Sequence, residues 1–193
     1  MSNVRSRSTA GGAILAVGVL LALAFTTAEA FYPGYSTSTQ TISALGSDTG
    51  TPESRLVFNG AMVLGGGLMA VAAYFLRDVY ETELVPALVA VTGVVGFAGV
   101  GLFPEQTGAP HALAALASFG GSGVVAIAVA RAESAAFRYA SMVLGVLELL
   151  ALAAFVGLGG GTALGIGGLE RWVAYLGILW AASYGGFLLA REA

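Results

Sequence analysis

Few side chains in this sequence can do chemistry, and they fall into two groups. The first surrounds His111, the only histidine, which follows Glu105 by six residues across Pro104 and Pro110. A helix N-terminus disfavours a protonated imidazole and a nearby carboxylate favours one, so the two residues suit a tunable acid–base pair. Such a pair can act as general acid and base or grip a lipid headgroup. The alternative is a ring that only satisfies loop carbonyls. Ser36 and Ser43 offer hydroxyls in the preceding loop, and with His111 as base and Asp48 or Glu105 as orienter either could serve as a nucleophile. That chemistry requires a serine oxygen within hydrogen-bond reach of the ring. Asn59 is an amide near the start of an apolar run, suited to pinning that loop or to touching a ligand. The second group is a single acid, Glu148, in the middle of an apolar stretch. An intramembrane carboxyl there is either a proton relay or an interhelical fastener.

Composition excludes more than it assigns. The 193 residues are 57% hydrophobic and 10% charged, against roughly 25% charged in a soluble domain. With a mean hydropathy of +0.85, the surroundings must be lipid. The absence of cysteine removes disulfides, thiolate nucleophiles, iron–sulfur clusters and cysteine-bound zinc, and one histidine cannot build a bis-histidine haem or a multi-histidine metal site. No metal and no cofactor is therefore expected. A net charge of −3, with no basic run beyond Arg5 and Arg7, does not suit nucleic acid. Membrane lipid and a small polar ligand are the expected partners; nothing in the residues speaks to a protein partner or an oligomeric state.

The elements that must position these groups are helices. Six apolar runs approach the length of about 17–25 residues that spans hydrocarbon: 10–28, 56–76, 84–103, 112–130, 139–158 and 172–190. The reading is an all-α, single-domain bundle over residues 1–193. All five prolines fall at or between the ends of these runs, where a missing N–H does little harm. If the N-terminus is inside, Arg5, Arg7, Arg77, Arg131, Arg138 and Arg191 are cytoplasmic, and only Arg55 and Arg171 lie outside. That bias places both termini in the cytoplasm of a cell-membrane protein. The first run, with its arginines and Ala28-Glu29-Ala30, also resembles a signal peptide, whose cleavage would leave five helices.

Under this topology the long first connection, residues 31–53, is outside together with His111. Tyr32 and Tyr35 suit anchoring at headgroup depth, and 38–45 suits a short interfacial helix ended by Gly46. Thr51-Pro52-Glu53 reads as N-cap, N1 and N2 of the second span. Small residues recur at helical spacing, as in Ala114, Ser118, Ser122, Ala126 and Ala130, in Gly93, Gly96 and Gly99, and in Ala182, Gly186 and Ala190. They suit close helix packing, or a cleft. Glu148 is expected to be a neutral acid bonded to Thr92, Ser122, Ser183 or Tyr184. Residues 159–168 read as a flexible glycine hairpin, Glu170 and Arg171 as an outer charge pair, and Arg77 to Glu83 and Arg131 to Arg138 as solvated connections. No broken helix, the usual mark of a transporter core, is apparent.

Tyr32-Pro33-Gly34-Tyr35-Ser36, Thr41-Ile42-Ser43-Ala44-Leu45-Gly46, Phe58-Asn59-Gly60, Gly101-Leu102-Phe103-Pro104-Glu105 and His111 together resemble the domain-of-unknown-function 998 family of six-helix membrane proteins. The resemblance covers nearly the whole chain. It implies that Pro33, Ser36, Ser43, Leu45, Gly46, Asn59, Phe103, Pro104 and His111 matter, and it implies no activity. Three readings stand. The first is an extracytoplasmic pocket of Pro33, Tyr35, Ser36, Ser43, Asn59, Phe103, Glu105 and His111 that binds a lipid headgroup or small polar ligand. The second is a membrane-embedded lipid hydrolase or transferase at the same face. The third is a small proton-coupled transporter using Glu148.

Overall fold

The computed structural model describes residues 2–133 and 136–191. Six helices carry the chain: α1 (Ser2–Ala30), α2 (Pro52–Leu76), α3 (Leu84–Leu102), α4 (Ala109–Ala132), α5 (Phe137–Leu158) and α6 (Gly165–Ala190). All six are long and apolar enough to cross a membrane. Each contains or overlaps its expected run, and no strand occurs among the described residues. Backbone polar groups have no water to bond in hydrocarbon, so a spanning segment that is not a closed barrel must be helical. α2 begins as its residues require: Thr51 caps it by accepting from the Ser54 amide at 3.1 Å, and Pro52 follows.

α1 packs against α2 on one side and α6 on the other, and α4 and α5 complete the ring against α3 and α6. Hydrogen bonds fix which residues share an end. Glu29, Thr41, Glu105, Glu170 and Arg171 are joined at one end, called the loop end here. Ser6, Asp78, Tyr80, Glu133 and Arg191 are joined at the other, the terminal end.

α3 is not one regular helix. Residues Val91–Phe97 form a π-helical segment between two α-helical pieces. No proline or polar gap announces it, and the helix stays continuous from Leu84 to Leu102. π segments are rare and concentrate where function interrupts regular winding.

Small residues set the helix contacts, with one change from the expected stripes. The α4 stripe is buried throughout, and a Cβ on Gly99 would meet Ala114 and one on Gly96 would meet the Ser118 backbone. On α6, Ala182 does face α1 at Gly18, but Gly186 has nothing within 4 Å. The close approach is Gly185, whose missing side chain lets the α1 backbone at Gly11 and Leu15 pass. A Cβ there would lie 2.6 Å from the Gly11 carbonyl oxygen. Gly185→Ala is therefore expected to cost about 1–3 kcal/mol as α6 is pushed off α1, whereas Gly186→Ala leaves the melting temperature in detergent unchanged. Equal melting temperatures for the two variants would refute this account of the α1–α6 contact.

Candidate functional site

The later part of the long first connection is drawn into the protein. Ile42 to Ser47 is buried, with Ser43–Gly46 wound as a single 3₁₀ turn inside the mouth of the bundle. Three elements hold it there. From α6, Glu170 accepts the Ile42 amide and the Ser43 hydroxyl, the latter at 3.0 Å. From the α3–α4 turn, Glu105 accepts the Thr41 hydroxyl at 3.1 Å. From α2, the Asn59 amide donates to the Gly46 carbonyl at 2.9 Å and the Ser54 hydroxyl to the Leu45 carbonyl at 2.9 Å. Gly46 must be glycine because a Cβ would run into Asn59 and Phe58. Gly167 similarly lets the backbone of Thr37 and Gln40 rest on the first turn of α6. Gly165 to Gly168 thus belong to a packed helix start, which corrects their reading as part of a flexible hairpin.

Arg171 organises the rim. It pairs with Glu29 at 2.6 Å, donates to the Tyr35 hydroxyl at 2.7 Å and reaches the Thr37 carbonyl at 2.9 Å. Tyr35 in turn donates to the Thr41 carbonyl at 2.7 Å and packs against Tyr32, with ring centroids 5.3 Å apart. Tyr35 is therefore tied into the protein and does not reach for headgroups. Glu170 and Arg171 are neighbours with opposite duties, one turned inward and one outward, and they do not form the expected charge pair. Burial, partly offset by Arg171, pushes the Tyr35 phenol from 10.0 up to about 12.

The residues expected to form an outer site are near one another in the fold but are separately engaged. His111 is buried and its Nδ1 lies 2.8 Å from the Phe103 carbonyl oxygen. The Ser36 hydroxyl pairs with Ser38 at 3.2 Å, and that of Ser43 with Glu170. Asp48 is exposed, its amide donating to Gln106 at 3.3 Å. Pro33 and Phe103 are exposed.

What the fold does bring together lies deeper. Beneath Ile42 and Ser43 is a cavity of about 40 Å³, walled by all six helices. Both Glu170 and Glu148 open onto it, with Ser43, Ser118 and Ser122 as the other polar side chains in its wall. Glu148 has no exposed surface; Ser122 donates to its Oε1, and its Oε2 has no partner. Ser122 is thus the partner among the four expected, while the buried Thr92 hydroxyl has none. Gly177 makes room, since a Cβ there would lie 2.8 Å from Glu148 Oε1. Glu170 was readable only as a rim charge, because nothing in the local sequence says which way a residue in the first turns of α6 will face.

Glu170, Gly177, Tyr184 and Arg191 stand seven residues apart on α6. Seven residues are nearly two turns, about 10.5 Å, so these four mark one face over about 30 Å, the thickness of hydrocarbon. At the terminal end that face meets a second buried polar cluster. Tyr80 bonds both Tyr184 and Glu133, and Arg191 pairs with Glu133 at 2.6 Å. Burial holds the Tyr80 phenol well above its ordinary range. Glu133 is consequently a packed residue, which corrects its reading as part of a solvated connection.

Six helices, each long and apolar enough to span a membrane, packed around a shared cavity define a multi-pass membrane protein. The family model described as protein of unknown function (DUF998) matches residues 15–186, and the chain belongs to that family. No curated protein and no solved structure matches the chain.

Two outcomes are expected here. Glu170→Ala strips the buried Ile42 amide and Ser43 hydroxyl of their acceptor, costing about 1–3 kcal/mol for each group left unpaired. Amide exchange over residues 37–46 should rise well before that in α2, and unchanged protection would show that the loop is held by other contacts. For Tyr35, the raised pKa means that its contribution to stability is complete below pH 10 and is lost as the pH climbs toward 12. Tyr35→Phe should flatten that part of the melting-temperature profile, and a profile as steep as that of the unaltered chain would disprove the assignment.

Proposed function

We propose that this chain is a small proton-coupled transporter in which Glu148 carries the proton and the cavity beneath the first loop holds the solute. One observation carries this reading: the intramembrane acid shares a single cavity with a second buried acid at the loop end. A charged or ionisable group in hydrocarbon is costly, and where it persists it usually faces a polar path. The polar face of α6 gives that path a direction, and the π-helical segment of α3 is an irregular element beside it. Arginine counting puts the loop end outside, so the solute would meet Glu170 before Glu148.

The other readings draw less support from the same geometry. Arg171, the cation at the centre of the rim, already holds Glu29, Tyr35 and loop carbonyls, which leaves little for an anionic headgroup. A serine nucleophile needs its proton taken by His111, and the hydrogen bonds of Ser36, Ser43 and His111 all run elsewhere.

The experiment is proton movement in proteoliposomes containing a pH-sensitive dye, challenged with a panel of small cationic, anionic and neutral solutes. At least one member should drive proton flux in the unaltered chain, and Glu148→Gln should abolish it without lowering the melting temperature by more than a few degrees. Ser122→Ala, which removes the one hydrogen bond to Glu148, should reduce the flux partially. A panel that moves no protons above protein-free liposomes would end the transport reading.

A further inference from the structure

We infer that the solute exchanged at this cavity is a small primary alkylammonium ion. The inference rests on the transport reading above and supplies its substrate class. Charge is the first argument. Both ionisable groups in the cavity wall are acids, and no arginine, lysine or histidine lines it. The nearest cation, Arg171, faces the rim and is engaged there by Glu29 and Tyr35. An anion in this space would sit beside two carboxyls with no compensating charge. A cation would find a carboxyl at either end.

Shape and lining give the second argument. Apart from three serines the rest of the wall is apolar, and Phe25, Phe58, Phe97 and Phe119 contribute rings to it. Aromatic faces attract cations, most strongly where water is excluded. The volume of about 40 Å³ corresponds to about three water-sized positions at roughly 10–15 Å³ each. That suits an ammonium group on a chain of two or three carbons and excludes bulky quaternary or aromatic cations unless the bundle opens.

Glu148 supplies the third. It is fully buried, Ser122 satisfies only its Oε1, and its Oε2 has no partner. An alkylammonium has three N–H donors and no acceptor, which matches the carboxylate oxygen that becomes free once the Glu148 proton has left. The exchange balances. As the ammonium arrives, the carboxyl O–H bond of Glu148 breaks, its electron pair stays on oxygen, and the proton leaves to water at the loop end. One positive charge enters and one departs, so the net charge of the cavity does not change. The groups nearby do not disturb that count: α1, α2, α3 and α4 bring no charged side chain to the wall, and α6 brings only Glu170. Glu105 and Glu29 are occupied by Thr41 and Arg171 outside it.

The test is calorimetric titration of the full chain in nanodiscs with propylammonium, propanol and propionate, in two buffers of different ionisation enthalpy. Propylammonium should bind about tenfold or more tighter than either of the others and release one proton per ion bound, with Glu148→Gln losing both effects. Propanol or propionate binding as tightly, or ammonium binding without proton release, overturns the inference. The comparison among three solutes uses the unaltered chain, so it stands even if the Glu148 variant fails to fold. The proteoliposome panel separates the two levels of the argument. Proton flux driven by an anion or neutral solute but not by propylammonium removes this substrate class and leaves the transport reading intact. No flux with any solute removes both.

Discussion

A carboxyl group placed in hydrocarbon must find its partners inside the protein, and much of this structure follows from that requirement. Glu170 meets it by gathering the Ile42 amide and Ser43 hydroxyl, which drags the first loop into the mouth of the bundle. The loop then forms part of the wall of the space beneath it. Glu148 meets the requirement only by half, through Ser122, and its other oxygen is left without a partner. The cavity is therefore a consequence of how two acids are accommodated, one fully and one partly.

Close helix packing makes that accommodation specific. Lipid tails compete with any apolar side chain, so helices in a membrane gain by bringing backbones together. Gly11, Gly18 and Gly185 do this between α1 and α6, and Gly96 and Gly99 do it between α3 and α4. Gly177 has a different duty, since the volume it gives up is filled by the Glu148 carboxyl and the Ser122 hydroxyl. The same residue type thus tightens one interface and reserves polar space in another. Only the identity of the facing atoms distinguishes the two.

The rim follows a division of labour between neighbouring residues. A helix places consecutive side chains about 100° apart, so Glu170 and Arg171 cannot share a partner unless they bend toward each other. One faces the cavity and the other the aqueous border, where Glu29 and Tyr35 complete its bonds. On the α6 side the loop is held by two sets of contacts, an inner one of neutral hydrogen-bond donors on a carboxyl and an outer one around a guanidinium. The terminal end repeats the theme with Tyr80, Tyr184, Glu133 and Arg191, again a buried acid balanced by donors from distant parts of the chain.

Local composition was enough to determine that this protein has six helices able to span a membrane, the core of each helix though not the starts of α1 and α6, and that α2 starts at Thr51-Pro52. Those properties depend on the polarity of consecutive residues and on caps, which are short-range. The same reading found Glu148 and proposed Ser122 among its partners, because both belong near mid-depth of their helices. It could not foresee that the 3₁₀ turn would be swallowed by the bundle, that Glu170 would face inward, or that α3 would carry a π segment. Hydropathy says that a helix is surrounded by apolar matter; it does not say which side is lipid and which is protein. That choice depends on the rotation of each helix against its neighbours, and it was made only when the glycine contacts brought six helices together.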